Sequence, residues 1–385
     1  MEYILTRYLY GRDEVEASLI TSLLTREDVC ECYFWAYELF YSGFDITRII
    51  WNIYYDFYFE HSPQLEPYIH KKFAKMKASK GQDGDVDALA FVIRNLFRGK
   101  PSSKVFVLRQ FIASDSAKTL IPSLGRKYRG RKPKWCQNHD VKYHQWLLSI
   151  CKHDYVNIAY HTYDLSEQIS VDLLFDELVN YFRPYYHIKD SIHDYWHNRS
   201  YEDDTHFLLS MIVHLCDFRA SVSNSTHMVA PKEEDLQWIR DTCYDGLVSK
   251  MKAYRVLFVA RKYNIRNDIG CFVLAREGIK DLQNILMCWE NYAYDTPLWL
   301  ERFKRYGGTL NKIEGETTRR ITFDDDSSLE TFYDTYGLEL DEQSKCTQDK
   351  SIASIPIVPW ISWHDALFQE KCLIPLNEDF RFEFT

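Results

Sequence analysis

Fourteen glycines and eleven prolines are the whole supply of strong turn residues in this 385-residue chain. Average usage would give roughly 46 of the two together. A sandwich or barrel of short strands needs such residues about every 8–12 positions, so their scarcity argues against an all-β fold. Long stretches without a breaker read instead as helices on short connections. The aromatic content fits this reading, with 28 Tyr, 23 Phe and 10 Trp. Hydrophobic residues make up 46% of the chain, enough to offset chain entropy by burial, which excludes disorder for its bulk.

The first 114 residues read as six short amphipathic helices. Asp13 is placed to cap the first, with Val15, Leu19, Leu23 and Leu24 on one face. Asp28 opens the second and Gly43 closes it, where a left-handed residue belongs. The third, DITRIIWNIYYDFYFEH, starts after Asp45 and is apolar nearly all round, so neighbours must cover it on several sides. Pro63 starts a fourth, and Gly99 and Pro101 end a fifth. Further helices are expected over 139–152, 169–182, 203–219 and 231–265, with a break near Gly246, and in TPLWLERFKRYGG (296–308). NIAYHTY (157–163) reads as a short strand, RRITF (319–323) as another, and Ser327 or Ser328 as the start of a last helix. The expected fold class is therefore mainly α: an irregular, α-solenoid-like array of helical hairpins with a minor β element near the C-terminus. Composition shifts divide the chain into a helical array (1–115), a basic linker (116–138), a helical domain (139–310) and a small acidic α+β segment (311–385).

The net charge of −9 argues against a chain coated over its whole surface by nucleic acid. Its distribution is uneven. Lys118, Arg126, Lys127, Arg129, Arg131, Lys132 and Lys134 fall between Asp115 and Asp140 with no acid among them, and Trp135 follows. Such a strip can contact phosphates and stack on bases, or pair with an acidic partner surface. Residues 321–349 are the counterpart, with nine acids and one base, Lys345. Asp324, Asp325 and Asp326 there read as an acidic helix N-terminus rather than a Mg²⁺ or Ca²⁺ loop.

His187, His193, His197, His206 and His214 cluster with Asp190, Asp194, Asp203 and Asp204. On a helix His193 and His197 share a face, and His206 and His214 would share another, so these four are the candidate zinc ligands. The H-E-x-x-H pattern fails, because Asp194 stands where a metalloprotease needs Glu. No cofactor is otherwise expected. P-loop, dinucleotide, nucleophile-elbow and kinase signatures are absent. The ten cysteines are scattered without a C-x-x-C pair and read as free thiols in a reducing compartment. The start, MEYILTRYLYGRDEVE, has no signal-peptide pattern, and no apolar run is long enough for a membrane span, so the chain is expected not to be secreted.

The stretch DEVEASLITSLLTREDVCECYFWAYELFYSGFDITRIIWNIYYDFYFEHSPQLEPYI (13–69), and within it FWAYELFYSGF (34–44), resembles a family of nucleocytoplasmic large DNA viruses, the giant viruses of algae and amoebae, which has no assigned activity. TPLWLERFKRYGG…ITFDDD…FYDTYGLELDEQ (296–343) is similar to the same family. The resemblance implies a viral setting: host cytoplasm, virus factory or virion, with other viral proteins as partners. With the absent catalytic signatures and the aromatic-rich helices, it leads to a structural or adaptor subunit, such as a minor capsid protein or scaffold. The alternatives are a nucleic-acid-associated factor for viral gene expression, replication or packaging using 118–134, and a helical metal- or acid/base-dependent enzyme using the His/Asp cluster 187–214.

Overall fold

A computed structural model describes residues 4–79, 83–113, 141–182, 196–197, 201–216, 228–244, 263, 288–312 and 319–336. Fourteen α-helices and one two-stranded antiparallel sheet lie among them, so the chain is mainly α with a minor β element toward its C-terminus. The basic linker and the tail after residue 336 lie outside the described residues. Two compact units form: residues 1–46 with 230–359, and residues 47–229 with 360–385. This grouping cuts across the segments drawn from composition, since the helices of 1–115 divide at Ile46. Composition marks changes along the chain, whereas compact units are set by side chains that meet at long range, as Arg7 and Cys243 do.

In the first unit, α1 (Arg12–Thr25) packs on α2 (Val29–Tyr41). The cap of α1 is Gly11 rather than Asp13, and Glu14 Oε2 accepts from the Gly11 N–H. Asp28 does cap α2, accepting from the Cys30 N–H. Gly43 follows at φ +82°, the left-handed residue that the helix end requires. A segment before α1 is stitched to far helices: Leu5 N–H donates to Tyr292 O, Thr296 Oγ1 to Leu5 O, and Trp299 Nε1 to Arg7 O. Leu5 and Leu9 thereby join Trp289, Trp299, Phe303, Phe332 and Tyr336 in one apolar cluster.

The other helices of this unit are α11 (Glu233–Thr242), α12 (Trp289–Ala293), α13 (Pro297–Arg305) and α14 (Asp326–Tyr336). The hairpin β1 (Thr309–Lys312) and β2 (Arg319–Thr322) pairs Thr309 with Thr322 and Lys312 with Arg319. The acidic run divides its work. Asp325 Oδ1 caps α14 by accepting from the Ser328 N–H, so the cap precedes the serines expected to hold it. Asp324 lies against Gly307, which ends α13 at φ +70°.

The second unit holds α3 (Ile46–Phe57), a 3₁₀ turn at Pro63–Leu65, α4 (Glu66–Ser79), α5 (Asp83–Arg98), α6 (Lys104–Ala113), α7 (Val141–Lys152), α8 (Tyr155–Ser166), α9 (Val171–Phe182) and α10 (Asp204–Cys216). Sequence neighbours pair as hairpins, α4 with α5 and α7 with α8, and α10 then packs against α6, α8 and α9. Residues 157–163 are helix, not strand. Asp154 caps α8 through the Asn157 N–H, and Tyr155, Ile158, Ala159 and Thr162 are buried at helical spacing. The Thr162 hydroxyl donates to Ile158 O and accepts from Trp146 Nε1, which fixes α8 on α7. As its composition requires, α3 is enclosed: Ile49, Ile50, Ile53, Trp51, Tyr54, Tyr55 and Phe57 are all buried.

Candidate functional site

Against that apolar background three polar residues recur every four positions: Asn52 and Asp56 one turn apart on α3, and Glu60 just past its end. Across from them α10 carries His206, Ser210 and His214 at the same spacing, and α6 supplies Lys104 and Arg109. The two rows meet rung by rung. His206 Nε2 lies 2.9 Å from Asp56 Oδ1, a close contact not aligned as a hydrogen bond. Ser210 Oγ donates to His206 O in its own helix at 2.8 Å and lies 3.3 Å from Tyr55 O. His214 Nδ1 lies 2.7 Å from Glu60 O. A carbonyl only accepts, so His214 carries its proton on Nδ1.

Asp56 is the centre of the ladder. Arg109 clamps it with both nitrogens of its fork, Nε to Oδ1 at 3.0 Å and the second to Oδ2 at 2.6 Å. Burial alone would raise the Asp56 carboxyl; the Arg109 guanidinium and then His206 outweigh it and hold it at about 2. Asp56 also sits in the last turn of α3, where a helix disfavours an acid, so Arg109 answers the helix dipole as well.

On the far side of His206, Tyr201 bridges to α3. Its hydroxyl lies 2.5 Å from both Asn52 Oδ1 and His206 Nδ1. The hydroxyl has one proton, and an amide oxygen only accepts, so Tyr201 donates to Asn52 and His206 Nδ1 donates to Tyr201. Burial, with Asp56 nearby, pushes the Tyr201 hydroxyl well above the usual tyrosine range, so it stays a donor rather than a nucleophile. One turn along, Lys104 Nζ pairs with the buried Glu60 Oε1 at 2.8 Å.

A second closed charge cluster lies in the first unit. Arg7 and Glu38 are paired at 2.8 Å with both side chains fully buried. Arg7 also donates to Cys243 O, and its guanidinium lies over the rings of Tyr8 and Tyr41. Glu38 Oε1 accepts from the Tyr8 N–H.

The residues singled out in the sequence fall as follows. Lys118, Arg126, Lys127, Arg129, Arg131, Lys132, Lys134, Trp135 and His193 lie outside the described residues. His197 is exposed, next to a buried Trp196 that donates to Asp172 Oδ1 and stacks on Phe175. His206 and His214 do share a buried face of α10, but each turns to its own partner near α3. Among the described residues no group of three His, Cys, Asp or Glu side chains is arranged to hold a metal ion. None of the helices searched is long and apolar enough to cross a membrane. Asp56, Glu60, Lys104, Arg109 and Tyr201 escaped the sequence reading. The signal for Asp56 and Glu60 was the polar 52–56–60 spacing in and just after a helix apolar nearly all round; no local signal marks Lys104, Arg109 or Tyr201. Comparison with known proteins gives no match: no family model, no curated protein and no solved structure is similar to the chain.

Proposed function

We propose that this protein is a non-enzymatic structural or adaptor subunit that works through protein–protein contacts, as a minor capsid or other virion component of a giant virus. The observation that carries the reading is the closure of its charge clusters. Asp56, Arg109, His206 and Tyr201 in one unit, and Arg7 and Glu38 in the other, turn their polar atoms to neighbouring helices. Groups committed in this way hold helices in register and keep each unit in shape, which is what an assembly subunit needs. The viral setting is supported by the resemblance at 13–69 and 296–343, and the partners would be other viral proteins. Quantitative mass spectrometry of purified virions tests the reading. The protein should be present at the level of other structural components; its absence from virions, with abundance in infected cells, would overturn the assignment.

A further inference from the structure

The hairpin of α4 and α5 carries a surface whose charge runs against that of the chain. Tyr68, Lys71, Lys72 and Lys75 stand at i, i+3, i+4 and i+7, so they line one face of α4. Lys71 and Lys75 are exposed, and Tyr68 is 47% exposed, a large ring facing water. The ammonium group of Lys72 lies over the Phe91 ring at 4.4 Å, which joins this face to α5. From Phe91 the same face of α5 runs on to Arg94 and to the exposed Arg98, and the exposed Lys100 follows the helix end. Asp87 is the one exposed carboxylate among the described side chains of the two helices, since Glu66 is buried.

Four of these cations have no neutralising partner among the described residues. Among the described residues Lys71, Lys75, Arg98 and Lys100 form no ion pair. The Lys72 ammonium is held below the usual lysine range by burial and by the like charges of Lys75 and Lys71, against which Asp87 acts. A row of uncompensated ammonium groups one helical turn apart is complementary to a polyanion. The exposed ring within the row narrows the choice. Carboxylates of an acidic protein have no use for an aromatic face, whereas an unpaired base stacks on one. Lysine heads are compact point charges suited to phosphates, and phosphate contacts carry no sequence information.

We infer that the α4–α5 face binds single-stranded nucleic acid, with Lys71, Lys72, Lys75 and Arg98 on successive phosphates and Tyr68 stacked on a base. Binding is independent of sequence and steeply dependent on salt. Its residues differ from those of the basic strip 118–134 and of the charged ladder of α3, and the inference does not rest on the structural role proposed above.

The test is fluorescence anisotropy of a labelled oligothymidine with the full-length protein, titrated between about 50 and 200 mM salt. Lys71→Gln with Lys75→Gln should weaken binding at least tenfold at low salt and reduce the log–log salt slope by about 1.4, since each phosphate contact on a single strand contributes about 0.7. Tyr68→Ala should weaken binding roughly tenfold with the slope unchanged, and Tyr68→Phe should restore it, because stacking needs the ring and not the hydroxyl. All three positions are on the surface of a helix, and unchanged thermal melts show that the variants fold. The inference is overturned by any of four results: no binding at low salt, affinity unchanged in these variants, loss only on substituting Arg126, Arg129 and Arg131, or displacement by polyglutamate as effective as by unlabelled oligonucleotide, which would assign the face to an acidic protein.

Discussion

Arg109 holds both carboxylate oxygens of Asp56, reaching from α6 to the last turn of α3 across 53 positions of sequence. The pair is the fixed point of the second unit. A buried ion pair adds little over well-packed apolar residues, but removing one partner strands the other, at a cost of about 3–5 kcal/mol. Arg109 keeps some access to water, so Arg109→Met should cost about 2–4 kcal/mol by denaturant titration. The acid limb follows from the same contact. The folded-state Asp56 carboxyl titrates at about 2, below its ordinary 3.8. Its contribution is therefore complete above pH 4 and lost as pH falls toward 2. Melting temperatures recorded down that range should fall less steeply in Asp56→Asn than in the wild type; equal slopes would separate the pair from acid stability.

Tyr201 offers a narrower test of the ladder. Tyr201→Phe keeps the ring, which packs 4.9 Å from Tyr55, and removes only the hydroxyl between Asn52 and His206. His206 is fully buried, so its Nδ1–H would lose its acceptor and Asn52 Oδ1 its donor. Orphaned buried groups cost about 1–3 kcal/mol. Tyr201→Phe together with His206→Phe removes donor and acceptor alike, and the second change should cost less in the Tyr201→Phe background than alone. A double-mutant cycle with no coupling would show that the hydroxyl bridge does not form.

The elements and the ladder were legible to different degrees in the sequence. Asp28, Gly43, Pro63, Gly99 and Gly307 mark helix ends because caps and left-handed residues act over a few positions, and each stands where an element starts or stops. NIAYHTY misleads because Ile and Thr favour strands, yet Asp154 upstream and Trp146 across the hairpin select helix. The histidines of α10 show the limit more clearly. Spacing correctly puts His206 and His214 on one face, but it says nothing of what that face meets. Their partners Asp56 and Glu60 lie about 150 positions earlier, and only the fold brings them across. The division into units is hidden for the same reason, since Arg7 must find Cys243 before the first helices can join those beyond residue 230.

Two buried carboxyls set the opposite pH limb. Glu66 Oε1 is buried with no hydrogen-bond partner, and burial pushes its carboxyl up to about 7. Burial raises Glu290 to about 7 as well, although Tyr333 OH donates to it at 2.7 Å. A raised carboxyl favours the folded state when protonated. The stabilisation is present below pH 4.5, fades as pH rises through 7, and leaves a charge in an apolar site above that. A displacement from 4.5 to about 7 amounts to at most about 3 kcal/mol per carboxyl at pH 8. The wild type should therefore melt at higher temperature at pH 5 than at pH 8. Glu66→Gln with Glu290→Gln should raise the melting temperature at pH 8 and leave it nearly unchanged at pH 5. A gain of equal size at both pH values would mean that neither carboxyl titrates where its burial places it.

The last test concerns a contact that backbone geometry makes compulsory. Gly307 sits at φ +70° at the end of α13, and a Cβ there would collide with the Asp324 carboxylate. Two separable costs follow for Gly307→Ala: the left-handed backbone, about 1 kcal/mol for a residue with a Cβ, and the collision, of similar size. Asp324→Ala removes the carboxylate and so most of the second, leaving the first and a tight approach of 3.2 Å to the Cβ at 324. Gly307→Ala should destabilise by about 2 kcal/mol alone and by about half of that in the Asp324→Ala background. Distant sites add to within about 0.3–0.5 kcal/mol, so coupling near 1 kcal/mol by denaturant titration reports the contact directly. Strict additivity would mean that Asp324 moves aside freely and that the turn between α13 and β1 needs its glycine for conformation alone.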